Sequence, residues 1–149
     1  MKRKKKLITP LAFPLSLLLL SCDNNSSNKE QESTIKAERI TLLNTTKSWD
    51  GTPYPNYPQT KPEISVLKIS IPPHQQLDWH KHPVINVAYV AKGEVLLEKK
   101  DDGKKIWVRE GEAVPETVNL VHKGQTGDKG VTLIVFYAGT PGVPITEPE

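Results

Sequence analysis

Residues 79–93 of the chain read WHKHPVINVAYVAKG. Two of the four histidines, His80 and His82, lie one residue apart in this stretch. Alternate side chains of a β-strand point to the same face, so both imidazoles would point together. His122 follows in a later segment. Because imidazole is a common ligand of transition metals, this pattern predicts a metal site built on β-strands.

The residues around this stretch favour an all-β domain. Nine Gly and 13 Pro separate short runs rich in Val, Ile and Leu, a pattern typical of strands joined by turns. Asp102-Gly103 between two such runs predicts a hairpin. Other turns are predicted at 91–93, 110–112 and 124–130. Strands are expected over 39–43, 63–71, 77–82, 84–90, 94–100, 104–109, 113–116, 120–122 and 130–138.

Two segments of the domain carry no strand pattern. Residues 44–62 form a long irregular stretch, and such a loop in a compact domain is usually functional or packed as a lid. Its Trp49, Tyr54 and Tyr57 would either cover the barrel or pack on its outside. The Pro-rich tail, residues 139–149, is expected to lie against the surface.

The N-terminus has the pattern of a bacterial lipoprotein signal. Basic residues 2–6 precede the mostly apolar residues 7–20, which are too few for a membrane-spanning helix and suit a signal peptide. The following Ser21 and Cys22 resemble the cleavage box in which the cysteine is lipidated, and Cys22 is the chain's only cysteine. We therefore predict a signal peptide over 1–21, a lipid-anchored disordered tether over 22–38 and a folded domain over 39–149, held outside the cytoplasm.

The charge of the chain argues against nucleic acid as a partner. The formal charge is +3, but five of the 20 basic residues lie in the predicted signal peptide, which contains no acid. The remainder has a small excess of acidic residues, and no basic patch is left to neutralise phosphates.

The stretch from His80 to Gly93 resembles the first motif of the cupin superfamily. That motif is His-x-His, three or four residues, Glu, six residues and Gly, and every spacing fits. The segment from Gly111 through Pro115 to His122 is similar to the second motif, although its Pro lies one position early. The resemblance covers residues 64–136 and implies a cupin-type jelly-roll β-barrel. Small single-domain bacterial cupins look most similar.

The resemblance implies a metal centre with one altered ligand. His80, His82 and His122 match three metal ligands of the family, and Asn86 stands where the family has Glu. An amide oxygen is a neutral, weaker ligand than a carboxylate. Three imidazoles alone would leave the charge of a divalent Fe, Ni, Cu, Mn or Zn ion uncompensated, which would favour an anionic substrate.

Three further residues are candidates for the site. Glu116 and Asn119 lie where the second motif departs from its pattern, and they either turn inward or belong to a solvated turn. An inward Glu116 beside a cation would stay ionised and could act as a catalytic base. Asn119 and Tyr89 are candidates to line a substrate pocket, although Tyr89 would equally suit a barrel wall.

Two functions of different classes fit these features. One is a metal-dependent enzyme of the dioxygenase or isomerase type, with dioxygenase chemistry as the commonest extrapolation for cupins that have three histidines. The other is a non-catalytic lipoprotein that binds a small molecule at the membrane surface with a degenerate metal site. Small cupins often dimerise, so the resemblance also implies a homodimer.

Overall fold

The computed structural model describes residues 37–149. The predicted signal peptide, Cys22 and nearly all of the predicted tether lie outside the described residues. Residues Glu38–Glu149 form one compact unit. Among the residues described, no helix has the length and apolar character needed to cross a membrane.

Eight β-strands and no helix make up the described part of the chain, in agreement with the predicted all-β class. All the ladders between strands are antiparallel, and together they form one curled sheet in the order β1-β7-β3-β6-β2-β8, with β4 and β5 also paired to β3. The strands are β1 Glu63–Ile71, β2 His80–Lys81, β3 Ile85–Lys99, β4 Lys105–Arg109, β5 Ala113–Pro115, β6 His122–Gln125, β7 Val131–Gly139 and β8 Glu147–Pro148.

Strand β3 connects the two halves of the curled sheet. Its first half pairs with β7 and β5, and its second half pairs with β4 and β6. The register with β7 shifts between Val90 and Lys92, which marks a β-bulge. A bulge bends a strand and increases its twist, so one strand can serve both halves.

The predicted turn at 91–93 is therefore wrong. Gly93 is present for a different reason, because it has φ +81° and a Cβ there would lie 1.9 Å from the carbonyl oxygen of Gly130. The backbones of β3 and the segment before β7 approach each other closely at this point. Only a residue without a side chain permits this approach.

Three predicted strands also differ from the structure. Residues 39–43 form no strand, and the side chains of Ile40 and Leu42 are exposed. The strand predicted over 77–82 is reduced to β2, because residues 77–79 form no strand and His82 makes only an isolated bridge. The strand predicted to end at His122 begins there instead, because Asn119 takes a positive φ of 59° and turns the chain just before it.

The other predicted strands and the hairpin are confirmed. Gly103 has φ +67° in the turn that joins β3 to β4. In β1 and β7 alternate side chains face inward, while Ile64 and Val66 on the outer face are 55% and 64% exposed. The buried core consists of Ile71, Val84, Ala88, Val90, Val95, Leu97, Val108, Val114, Val131, Leu133, Val135 and Tyr137.

We predict that Gly93→Ala destabilises the protein far more than Gly103→Ala. Both positions have positive φ, which costs an L-residue about 1–2 kcal/mol. Only at Gly93 would the new Cβ also strike backbone, whereas nothing lies within 4 Å of a Cβ at Gly103. Urea unfolding should give a loss of more than about 2 kcal/mol for Gly93→Ala, and equal losses for the two variants would contradict this account of the bulge.

Candidate metal centre

Short strands at one end of the curled sheet bring three histidines together. His80 in β2 lies opposite His122 in β6, and β2 is also paired with the C-terminal β8. His82 follows β2 and makes an isolated parallel bridge to Val118. The predicted alternation therefore holds at this point, since His80 and His82 contribute their rings to the same site.

The three imidazoles face one another at close range. Their ring centroids are 4.8–5.1 Å apart. One ring nitrogen from each of His80, His82 and His122 lies within 4.8 Å of the others. His82 and His122 are buried, and His80 is half-buried at the edge of the cluster. These three histidines could bind a metal ion, as the sequence predicts.

Backbone carbonyl groups orient each imidazole ring. The Nδ1 atom of His80 lies 2.8 Å from the carbonyl oxygen of Asp78, that of His82 lies 2.8 Å from Ile145, and that of His122 lies 2.9 Å from Leu120. A carbonyl oxygen only accepts hydrogen bonds, so each Nδ1 carries a proton. Each Nε2 is then left to face the cluster, which is the arrangement of metal-binding histidines in proteins.

Glu116 joins the cluster from the segment that follows β5. Its Oε2 atom lies 2.8 Å from Nε2 of His82 and 3.5 Å from Nε2 of His122, and its side chain is almost fully buried. Of the two alternatives for Glu116, the structure has the inward one. The predicted role of Glu116 as a catalytic base remains a prediction.

Burial and charge oppose each other at this carboxylate. Burial alone would raise the pKa of Glu116, but the neighbouring imidazoles of His122 and His82 outweigh burial and hold it well below its usual range. Burial would likewise lower the pKa of His122, and the Glu116 carboxylate raises it instead. The pKa of His80 is lowered, chiefly by burial. Glu116 is therefore ionised at neutral pH.

Asn86 is buried with an unsatisfied side chain. It is 0% exposed, and neither its Oδ1 nor its Nδ2 has a hydrogen-bond partner in the protein. The Nε2 atom of His122 is also buried without a hydrogen bond. Buried polar groups are rarely left unpaired, so unpartnered atoms at this site are consistent with a ligand that pairs with them.

The side chains of Asn119 and Tyr89 do not join the cluster. Asn119 donates its backbone N–H to the carbonyl oxygen of His82 at 2.8 Å, but its side chain is exposed in the turn described above. Tyr89 lies an odd number of residues from Asn86 on β3 and so faces the other side of the sheet. The remaining histidine, His74, is exposed in a turn, and its Nε2 lies 3.6 Å from Asp128.

Tyr137 contacts the cluster and is missed by the sequence analysis. Its ring packs at 5.7 Å from that of His82, and burial together with the charge of Glu116 raises its pKa to about 12. It lies opposite Asn86 in the β3–β7 register. That register is the signal that could have found it, but a single sequence does not specify which strands pair.

The long loop 44–62 supports the segment that carries Glu116. The backbone N–H of Trp49 donates to the carbonyl oxygen of Pro115 at 2.8 Å, and the Tyr54 hydroxyl donates to that of Glu116 at 2.9 Å. Lys99 fastens the loop to β3 by donating to Asp50 at 2.9 Å. Trp49 packs against the core, and Tyr57 is 68% exposed. The loop thus packs beside the site, in line with the outer-packing alternative.

Solvent reaches the cluster on the side of His80. Of the three histidines, His80 is half-buried, whereas His82 and His122 are buried.

Solved structures of cupins share this fold. DMSP lyase DddQ from Ruegeria pomeroyi DSS-3 superimposes with a TM-score of 0.52 at 15% identity, over 74% of this chain and 59% of that chain. A cupin-like protein from Thermotoga maritima superimposes with a TM-score of 0.50 at 16% identity, over 58% of this chain and 64% of that chain. The polyketide cyclase RemF from Streptomyces resistomycificus superimposes with a TM-score of 0.50 at 21% identity, over 57% of this chain and 59% of that chain.

These matches establish the cupin fold and no more, because all identities are low and each match spans less than two thirds of the other protein. No family model matches the sequence, and no curated protein matches it.

We predict that metal occupancy falls as the pH drops from 8 to 5. A metal competes with protons for imidazole nitrogens, whose ordinary pKa is about 6.5, and affinity is lost once protons bind. The raised pKa of His122 moves the onset of this loss to higher pH. Equilibrium dialysis with Zn²⁺ across this range measures it. An occupancy independent of pH would mean that these histidines are not the ligands.

Proposed function

We propose that this protein is an extracytoplasmic cupin, anchored to a bacterial membrane through Cys22, that binds one divalent metal ion and acts on or binds a small molecule there. The observation that carries the proposal is the convergence of the three imidazoles, each with its Nδ1 held by a backbone carbonyl. This arrangement leaves one ring nitrogen of each imidazole, within 4.8 Å of the other two, available to a metal.

The donor set suits a transition metal. Three imidazoles and a nearby carboxylate favour Fe, Ni, Cu, Mn or Zn over Ca²⁺ or Mg²⁺, which prefer oxygen ligands. Such an ion would polarise a bound small molecule or activate dioxygen. The chain itself would hold the imidazoles in place, keep Glu116 ionised beside them and exclude bulk water with Tyr137 and the core.

A non-catalytic binding protein is the second candidate function. It is favoured by Asn86, a neutral amide at the position where the first cupin motif has a carboxylate ligand. In this case the barrel would store or present the ion, or hold a small ligand. The lipid anchor and tether predicted from the sequence suit either function.

Metal content tests the proposal. The purified protein, prepared without chelators, should contain close to one transition-metal ion per chain by elemental analysis. The variant His80→Ala/His82→Ala should contain almost none, because two of the three nitrogen donors are gone. His74→Ala is the matched control, since His74 lies on an exposed turn outside the cluster, and it should retain the metal. Metal at the wild-type level in the double-alanine variant would refute the site.

Anchoring is tested separately. In bacterial cells that process lipoproteins, the full-length chain should fractionate with membranes, and Cys22→Ser should abolish lipidation because the thiol is the acylated group. Metabolic labelling with a fatty acid and cell fractionation measure both effects. Labelling that persists in Cys22→Ser would overturn the predicted anchor, without bearing on the metal site.

A further inference from the structure

We infer that Glu116 is the fourth protein ligand of the metal and takes the place of the carboxylate that the first cupin motif has at position 86. The inference rests on the proposed metal centre. It replaces the expectation of a neutral three-histidine site with that of an anionic site. It also replaces the predicted catalytic-base role of Glu116, because a carboxylate bound to the metal is not free to take a proton from a substrate.

The spacing of the atoms matches a coordination sphere. Ligand atoms about 2.0–2.1 Å from one ion and 90–109° apart are separated by about 2.9–3.4 Å. The Oε2 atom of Glu116 lies 2.8 Å from Nε2 of His82 and 3.5 Å from Nε2 of His122. These two separations lie about 0.1 Å outside that interval, one below it and one above it. The three imidazole nitrogens lie within 4.8 Å of one another, so the rings would have to draw together around an ion.

The hydrogen bonds of His82 call for either a second proton or a metal ion. His82 has an acceptor on each side, the Ile145 carbonyl at Nδ1 and the Glu116 carboxylate at Nε2. A neutral imidazole has one N–H and cannot donate to both. Either a second proton or a metal ion must therefore lie between His82 and Glu116. A metal would satisfy both groups, and it would also satisfy the unpaired Nε2 of His122.

Positions 86 and 116 are structural neighbours. The backbone N–H of Glu116 donates to the carbonyl oxygen of Asn86 at 3.2 Å. A carboxylate at position 116, in the segment after β5, could therefore reach the same ion as a carboxylate at position 86. The Trp49 and Tyr54 hydrogen bonds hold the Glu116 segment rigidly in this place.

The relocation changes what the site should bind. With one carboxylate among its ligands, a divalent ion would keep a net charge of about +1 instead of +2, so it would depend less on an anionic substrate for charge compensation. The buried Asn86 amide keeps an unpaired donor and acceptor. A small molecule that both donates and accepts hydrogen bonds would pair with this amide if it reached it.

A carboxylate exchange tests the inference with Co²⁺ alone as the probe. The wild type is compared with Glu116→Gln and with Asn86→Glu/Glu116→Gln, which returns the carboxylate to position 86. Glu63→Gln is the control, because Glu63 is an exposed carboxylate at the start of β1. Affinity is measured by competition with a chelator, coordination by the visible absorption of bound Co²⁺, and folding by circular dichroism.

Loss of a charged ligand should weaken Co²⁺ binding by about 100-fold or more in Glu116→Gln, since even outer-shell changes cost 10–100-fold. The double variant should recover to within about tenfold of the wild type with a similar spectrum, and Glu63→Gln should be unchanged. Wild-type affinity and spectrum in Glu116→Gln would overturn the inference and leave the three-histidine centre standing. If Glu116→Gln does not fold, the double variant decides, because weak binding by a folded double variant overturns the exchange.

Failure of the proposed function would look different. A wild type that binds no Co²⁺, with no difference from His80→Ala/His82→Ala, would remove the metal centre altogether, and the inference with it. If the histidine substitutions abolish Co²⁺ binding but Glu116→Gln does not, only the assignment of Glu116 as the fourth ligand is refuted.

Discussion

The bend in strand β3 is the constraint on which the rest of the fold depends. Because β3 pairs with four other strands, its two halves must point in different directions, and the bulge between Val90 and Lys92 provides the change. The bulge in turn needs the backbone contact at Gly93. The first half of β3 carries Asn86, and the second half pairs with the strand that carries His122. A straight β3 would separate the two halves of the site.

The candidate site is held by groups that lie outside the cluster of imidazoles. Each imidazole is fixed through its outer nitrogen by a carbonyl from a different irregular segment, and Glu116 is fixed through its backbone. Such outer contacts set ring orientation and ligand basicity, and they are as important for a metal site as the ligands. The irregular segments around residues 49–54 and 145 therefore contribute to the geometry of the site in addition to connecting strands.

The sequence predicts the fold class, most strands and the three histidines, because these depend on local spacing and alternation. It does not predict the uninterrupted β3, because Ala91-Lys92-Gly93 has the composition of a turn and only the distant Gly130 shows why the glycine is needed. The neighbours Tyr137 and Ile145 are missed for a similar reason, since both reach His82 through long-range pairing. The exposure of the Asn119 side chain and the face on which Tyr89 lies follow from strand register, which local spacing does not show.

The carbonyl that orients His82 belongs to a residue 63 positions later in the chain. During synthesis, His80 and His82 emerge long before this partner, and β8, which pairs with β2, emerges last of the described strands. A nascent chain thus has the ligands but lacks their geometry until nearly every described residue has left the ribosome. Selection among competing ions would accordingly be made by the finished barrel, in whichever compartment it folds, and the ions available there would decide which one it carries.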